Sequence, residues 1–327
     1  MGAVMALSRR GFVRVLGGGA VFAAATGVGL SRCDRMPAEA IEGWAGPPAT
    51  ETDPRRQALA FALLAPNPHN LQSWLADLRT PGEIALHIDT ARMLPMTDPP
   101  GRQITIGCGC FLETLVLAAA AEGWRTEASL WPDGIDEADL GARPFAWLSF
   151  SAAPAADPDG LAAQILARRS AKVPFEAGRA LESGHASALR AVHGDGDIGL
   201  TVTSAPETVA RLRDIAKQAF RIEVDTDRTY RESVELMRIG ADEIAAHRDG
   251  LAMHGPFFWW LKRFGLLSVE EQMRGGSTAR DTARSTLDAD AASTSTFAWL
   301  TTAANTREMQ LRAGRAYVRL NLVAARA

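Results

Sequence analysis

The chain has few cysteines, with three among its 327 residues. Cys33 stands apart near the N-terminus. Cys108 and Cys110 are separated by one residue, so they cannot form the disulfide framework of a large domain. The sequence contains no C-x-x-C-H motif, which argues against c-type haem, and no second cysteine or histidine pair that would complete a zinc site. We therefore expect no metal, and we expect the small residues 107–110 at a tight helix entrance.

The chain also lacks an excess of positive charge, since 35 lysines and arginines face 38 aspartates and glutamates, a net charge of −3. Residues 1–40 hold five basic and two acidic residues, so the remainder carries about −6 (30 basic against 36 acidic). No tract of basic residues remains in this part of the chain. The sequence therefore does not predict a nucleic-acid partner.

The apolar run near the N-terminus is too short for an ordinary membrane-spanning helix. Residues 15–30 are apolar, but a spanning helix needs about 20 such residues. The run follows Ser8 and the Arg9-Arg10 pair, with Phe12 and Arg14 close behind, which is the pattern of a twin-arginine signal. A basic flank before a short apolar run is typical of a secretory leader.

Residues 38–40 (Ala-Glu-Ala) resemble a cleavage site, so we interpret residues 1–40 as a twin-arginine signal peptide. The twin-arginine translocation machinery is then a partner. The mature protein is expected in the periplasm or another extracytoplasmic compartment, without a stable transmembrane segment after processing. An opening amphipathic helix and lipidation of Cys33 are the alternatives.

Apolar patterns divide the rest of the chain into two related halves, residues 41–160 and 161–327, joined by a linker rich in Ala, Pro and Asp. The first half is predicted to contain a helix over 55–64, strands over 72–78, 84–88 and 146–150, and a buried helix over 112–121. The second is predicted to contain helices over 161–169, 206–220, 230–248 and 306–325, a strand over 200–203, and a mobile polar segment over 275–295. Along the last helix, one face collects Met309, Ala313, Ala316, Tyr317, Leu320 and Ala324.

A basic motif follows the helix predicted over 161–169. Arg168 and Arg169 precede Ser170, and Lys172 lies two residues further on. Guanidinium groups can bind phosphate oxygens through two hydrogen bonds, and a serine hydroxyl can donate one more. The pattern has the groups that a phosphate-binding site needs, but taken alone it favours a basic helix C-terminus that complements the helix dipole.

An amide-rich motif occupies residues 65–74, where Asn70 and Gln72 are two residues apart at the predicted start of a strand. In an extended segment their side chains point to the same side. Because an amide offers both a donor and an acceptor, this pair suits the edge of a flat heterocycle. The alternative is a turn whose asparagines bond only to their own backbone.

Together the two motifs resemble those of the FMN-binding nitroreductase family, which typically shows Arg-Arg-Ser-x-Arg and Ala-Pro-Ser-x-x-Asn-x-Gln-Pro-Trp segments. The chain departs from them at Asn67, Ser73 and Lys172. The amide motif precedes the basic motif. This order, the leader, and residues 92–99 and 314–316 resemble the Acg-type subgroup, which fuses two nitroreductase-like halves. The resemblance implies an α+β fold with two tandem pseudo-repeat halves, each an antiparallel sheet flanked by helices.

The resemblance also implies one FMN per chain, bound between the halves of a pseudo-dimer that could be monomeric. By this resemblance, Arg168, Arg169 and Ser170 would hold the phosphate and ribityl chain, Asn70 and Gln72 would face the isoalloxazine, and Lys172 would supply a point charge. Family members continue beyond the helix in which this chain ends. We therefore expect an incomplete second half with altered FMN affinity.

Three functions remain open. The first is an exported FMN-dependent oxidoreductase whose electron donor is unknown, because NAD(P)H is not expected outside the cytoplasmic membrane. The second is a non-catalytic flavin-binding or flavin-storing protein in which residues 220–295 cover the ring. The third is a degenerate, cofactor-free exported protein.

Overall fold

The computed structural model describes residues 34–171, 173–176, 179, 181–192 and 196–326. The twin-arginine pair, the apolar run and Cys33 lie outside these residues. Residues 38–40, interpreted above as a cleavage site, fall in a short helix, α1 (Ala38–Ile41).

The first part of the described chain is organised around a four-stranded antiparallel sheet. Its strands are β1 (Trp74–Asp77), β2 (Glu83–Ile88), β3 (Trp124–Leu130) and β4 (Ala146–Ala152), in the order β1-β2-β4-β3. In the register, Trp74 lies opposite Ile88, and Ile84 lies opposite Leu148. The strands predicted over 72–78, 84–88 and 146–150 are confirmed, whereas β3 was not predicted.

Two helices pack in the first part. The helix α2 (Pro54–Ala62) begins at Asp53, whose carboxylate accepts a hydrogen bond from the Arg55 N–H, with proline at its first position. It packs against α3 (Arg102–Ala121), the central helix of the core. The prediction of a helix over 55–64 is confirmed, and α3 begins ten residues earlier than predicted.

The helix α3 begins where it does because Asp98 accepts hydrogen bonds from the backbone N–H groups of Arg102 and Ile104. Residues 107–110 therefore lie inside the helix, not at its entrance as predicted. Within the described residues, α3 is the helix that is long and apolar enough to cross a membrane, but most of it is buried inside the protein. Its all-round apolar character is that of a core helix.

The second part of the described chain is mainly helical. Its helices are α4 (Ser183–Arg190), α5 (Pro206–Asp225), α6 (Asp227–Glu235), α7 (Ala241–His247), α8 (Pro256–Arg263), α9 (Val269–Met273), α10 (Thr278–Ser293) and α11 (Arg307–Arg326). The strands β5 (Ile198–Thr203) and β8 (Phe297–Thr302) form an antiparallel pair, and β6 (Met237–Ile239) and β7 (Leu251–Met253) form a parallel pair. This mixture of helices and sheet confirms the α+β class. The tandem halves stay a prediction.

Three predictions for this part were wrong. Residues 161–169 form only a short 3-10 turn (Ala162–Gln164), whose start is held by the Asp157 carboxylate. The helix predicted over 230–248 is interrupted by β6 and by Gly240, whose φ of 89° favours glycine. The segment predicted as mobile contains α10, which begins at the capping hydroxyl of Ser277 and packs along α5.

The helices α3 and α11 cross at two glycines. A methyl carbon on Gly314 would lie 2.9 Å from the Gly109 Cα and closer still to the Ile106 carbonyl oxygen. Glu113 is buried at the same interface, where its carboxylate accepts hydrogen bonds from Arg315 (2.6 Å) and Arg319 (2.8 Å). The C-terminal helix therefore belongs to the same core as the four-stranded sheet.

The buried side of α11 shares Ala316 and Leu320 with the predicted apolar face and differs from it otherwise. Leu311, Val318 and Leu322 are fully buried against the core. Met309 and Tyr317 instead line an open cleft of about 400 Å³ between α11 and β8. The prediction rests on apolar side chains, whereas Gly314 at the crossing decides which side of α11 approaches α3.

Candidate functional site

The amide motif forms a tight turn between α2 and β1. A 3-10 turn (Pro68–Asn70) opens it, and three residues have positive φ: His69 (48°), Asn70 (52°) and Gln72 (54°). The extended conformation predicted for Asn70 and Gln72 is therefore wrong. Asparagine tolerates this left-handed region better than most residues, which helps the motif to turn the chain.

Asn67 holds this turn together, at a position where the family resemblance has serine. Its Oδ1 accepts a hydrogen bond from the Gln72 backbone N–H (2.9 Å), and its Nδ2 donates to the Ala65 carbonyl (3.1 Å). The turn packs onto α3 at Gly107, where an added methyl would lie 3.1 Å from Pro68 Cδ. Asn67 thus has the local backbone role that was the alternative interpretation of the motif.

Residues from the second part of the chain contact the amide turn. The Gln72 side-chain Nε2 donates to the Arg248 carbonyl (2.9 Å), and the Gly250 N–H donates to the Asn70 carbonyl (3.2 Å). Asp249 also pairs with Arg92 at 3.3 Å. The segment 248–250 thus lies directly on this turn, while the Asn70 residue remains exposed.

Arg168 is the half-buried member of the basic motif. Its Nη2 donates to the Leu64 carbonyl (2.8 Å), and its Nη1 lies 3.4 Å from the Ser170 hydroxyl oxygen. Burial lowers the pKa of Arg168, although the nearby Cys110 and Tyr317 act in the opposite direction. A guanidinium stays protonated under ordinary conditions, so the group remains a cation.

The other members of the basic motif lie nearer to solvent. The Arg169 guanidinium stacks 4.7 Å from the centre of the Trp44 ring, and its Nη1 donates to the Leu166 and Arg168 carbonyls. Ser170 is exposed. Lys172 lies outside the described residues.

The structure brings the two motifs to the same end of α2. Leu64, which accepts the bond from Arg168, immediately precedes Ala65, the first residue of the amide motif. These partners are 104 residues apart in the chain. Within the described residues, no hydrogen bond joins Arg168 directly to Asn70 or Gln72. The motifs are therefore neighbours, not contacting pairs.

A cleft of about 600 Å³ lies along α2 and the start of β1. Gln72 is at its edge, and Trp74 stacks on Phe111 with ring centres 4.4 Å apart. Leu63 lines the cleft one residue before the carbonyl that binds Arg168. Sequence reasoning missed this cleft, although Trp74 and Arg92, which also lines it, both belong to segments that carried the resemblance.

These donors fit FMN in kind. Arg168 Nη1 and the Ser170 hydroxyl converge, as a phosphate would require, and the cleft offers apolar walls with an amide at its edge, as a flat ring would require. Within the described residues, no group of three or more His, Cys, Asp or Glu side chains could hold a metal ion.

No family model matches the chain. Sequence comparison finds three relatives in Mycobacterium tuberculosis (strain ATCC 25618 / H37Rv). "Putative NAD(P)H nitroreductase acg" is 33% identical over 127 residues, 38% of this chain and 36% of that protein. "Putative NAD(P)H nitroreductase Rv3131" is 34% identical over 92 residues, 27% and 26% of the two chains. "Uncharacterized protein Rv3127" is 29% identical over 124 residues, 37% and 35% of the two chains.

The chain thus spans about a third of the length of the curated relatives it matches. The two named nitroreductases exceed 30% identity over their matched segments. These partial matches support a relationship between this chain and the nitroreductase family.

Proposed function

We propose that this chain is an exported FMN-binding protein of nitroreductase fold. The observation that carries the proposal is the hydrogen bond from Arg168 to the Leu64 carbonyl, which joins the basic motif to the start of the amide motif. A flavin is the cofactor that nitroreductase relatives imply. One molecule held by both motifs would explain why each occurs once in the chain.

Each motif has a distinct part in this proposal. Arg168, Arg169 and Ser170 bind the phosphate and ribityl chain, while Asn70 and Gln72 face the ring. The half-buried Arg168 is held in place by the Leu64 carbonyl, so its remaining donors are positioned before the ligand arrives. When bound, FMN would supply hydride and electron transfer between a donor and an acceptor.

The electron donor is open within the proposal. The relatives are named for NAD(P)H, which would be available to a cytoplasmic enzyme. In the proposed extracytoplasmic location NAD(P)H is not expected, so another donor would be needed. An oxidoreductase of this kind would be tested by reducing the bound flavin with NADH or NADPH and following transfer to a nitroaromatic or a quinone.

A second candidate function is non-catalytic flavin binding or storage. The observation that favours it is the position of residues 248–250 on the amide turn, through Gln72 and Asn70. A segment in that place restricts access to the ring side of the proposed site. Bound flavin that stays oxidised when NADH, NADPH or a quinol is added, without dithionite, would support storage over catalysis.

The visible spectrum of the purified protein is the first test. A flavin spectrum supports either function, whereas a colourless protein that takes up no added FMN would indicate the cofactor-free alternative. Arg168→Ala should weaken FMN binding by about 1.5–3 kcal/mol, the scale of a hydrogen bond to a charged group, or roughly ten- to hundredfold. Riboflavin, which has no phosphate, should lose far less.

A matched control comes from Arg211, an exposed arginine on α5 outside both motifs. Arg211→Ala should leave both affinities unchanged. If Arg168→Ala weakens FMN and riboflavin equally, its role is not at the phosphate. Because Asn70 and Arg168 do not touch, their separate losses should add in the double variant.

Export has its own test. Replacing Arg9 and Arg10 by lysine keeps the charge but removes the twin-arginine pattern. We expect the Lys-Lys protein to accumulate in the cytoplasm, measured by cell fractionation. Normal export of that variant would contradict the proposed location without affecting the flavin proposal.

A further inference from the structure

The helix α8 exposes four large aromatic side chains within eight residues. The exposed fractions are 47% for Phe257, 38% for Trp259, 43% for Trp260 and 68% for Phe264 just after the helix. Phe257, Trp260 and Phe264 follow a spacing of three and four residues, so they share one face of the helix. We call these three side chains, together with the neighbouring Trp259, the aromatic face of α8. A contiguous exposed apolar surface usually marks a binding surface.

Contacts at both ends of α8 hold the aromatic face outward. Before the helix, the Gly255 N–H donates to an Asp34 carboxylate oxygen (2.8 Å). At its other end, Lys262 Nζ donates to the Ile239 carbonyl and to the Glu243 carboxylate, each at 2.6 Å. These polar contacts fasten both ends of α8 to the protein, while the rings of Phe257, Trp260 and Phe264 are left exposed.

The aromatic rings also order one another. Trp260 stacks on Phe264, with ring centres 5.7 Å apart and planes 19° from parallel. Trp259 meets Trp260 edge to face at 4.8 Å. The face therefore presents a packed set of rings that needs little reordering before it binds.

The segment around this face has more basic than acidic residues in an otherwise acidic chain, although Lys262 is paired with Glu243 and the Asp34 carboxylate lies at the start of α8. Residues 250–269 contain no aspartate or glutamate, but they include Lys262 and Arg263. The whole chain carries a net charge of −3. Arg263 is exposed at the end of α8, next to the aromatic face. An anionic surface complements this segment better than it complements the rest of the protein.

We propose that the aromatic face of α8 docks the protein onto the surface of an anionic phospholipid membrane. Tryptophan and phenylalanine rings enter the boundary between headgroups and acyl chains, and a flanking arginine meets the lipid phosphates. The helix would lie in the plane of the membrane surface without crossing it. The inference does not depend on flavin binding.

A second copy of the chain fits this face less well. Eight helical residues extend only about 12 Å, whereas a stable dimer buries about 800 Å² on each partner. The size of the face therefore favours a lipid surface over a second copy.

The test uses the full chain with phosphatidylglycerol vesicles that contain brominated acyl chains, which quench tryptophan fluorescence on contact. The double variant Trp259→Phe/Trp260→Phe keeps the aromatic surface but removes the two indoles, so it should still sediment with the vesicles and lose most of the quenching. Trp299→Phe removes an indole of similar exposure elsewhere and should keep the quenching. Arg263→Glu should weaken vesicle binding by about tenfold.

Three results would overturn the proposal. Quenching that is the same in wild type and in the double variant would mean that another segment, such as the leader, contacts the lipid. Absence of binding to the vesicles would refute docking directly. A concentration-dependent dimer that disappears in Phe257→Ser/Trp260→Ser, without lipid quenching in the wild type, would assign the face to self-association.

Discussion

Replacing Gly314 by alanine should separate the two central helices. The added methyl would lie 2.9 Å from the Gly109 Cα and closer still to the Ile106 carbonyl oxygen, whereas real Cβ atoms essentially never approach within 3.0 Å. Both neighbours are backbone atoms, so no side chain can rotate away. Overpacking of this kind costs about 1–3 kcal/mol, and we expect the upper part of that range. Alanine recovers up to about 1 kcal/mol through its helix propensity, which leaves a net loss of about 2 kcal/mol.

The assay is urea denaturation followed by far-UV circular dichroism, with Gly184→Ala as the matched control. Gly184 also lies in a helix, α4, but nothing stands within 4 Å of a methyl group at that position. Gly184→Ala should therefore be neutral or stabilising by up to about 1 kcal/mol. Equal denaturation midpoints for the Gly314 and Gly184 variants would show that the helices do not cross as closely as described.

Three further outcomes follow from individual side chains. A hydrogen bond from Arg55 holds the pKa of Asp53 below its ordinary 3.8. The ionised Asp53 therefore contributes to stability above that pH, and the contribution is lost as the pH falls through the pKa of the folded state. The difference in free energy of unfolding between wild type and Asp53→Asn, measured in urea, should shrink below about pH 4. Burial raises the pKa of Cys108, and that of Cys110 to about 12, so mass mapping should find both thiols unreactive towards iodoacetamide until the protein unfolds. Glu113→Ala should cost about 2–3 kcal/mol in the same denaturation assay, because it leaves two partly buried arginines without their carboxylate.

Local patterns predicted the elements that are decided locally. The strand β2 and the helix α2 carry their own signals, an apolar run in one and an Asp53-Pro54 start in the other. The helix α11 was predicted almost to the residue, because helix-forming residues lie on both sides of Gly314. These elements need no distant partner to define their type.

Elements decided by a capping contact, by a positive φ angle or by an exposed edge position were predicted poorly. The start of α3 depends on the Asp98 carboxylate and a left-handed Gly101, and residues 107–110, predicted at the helix entrance, lie inside the helix. The break before α7 depends on a φ of 89° at Gly240. The strand β3 is an edge strand whose pattern is mostly exposed, which leaves little apolar signal to detect.

At the candidate site, too, the sequence predicted some features and missed others. The motif resemblance proposes Asn70, Gln72 and Arg168 as site residues, but it could not give the backbone conformation of the amide turn. The segment has positive φ values where an extended conformation was expected. The Asn67 side chain accepts a hydrogen bond from the backbone N–H of Gln72, so it has a structural role in the turn. The bond from Arg168 ends on a main-chain carbonyl, which no pattern of side chains can indicate.

The helix crossing and the proposed phosphate site are physically connected through α3. The Cys110 thiol donates to the Gly314 carbonyl (3.2 Å), and the charge of Arg168 acts on the same thiol. Tyr317 of α11 also lies near enough to affect the pKa of Arg168. A shift of α11 would therefore disturb the surroundings of Arg168 as well as the core. A loss of flavin binding in Gly314→Ala would not mark Gly314 as a ligand-binding residue, whereas a loss in Arg168→Ala at unchanged stability would support a direct contact.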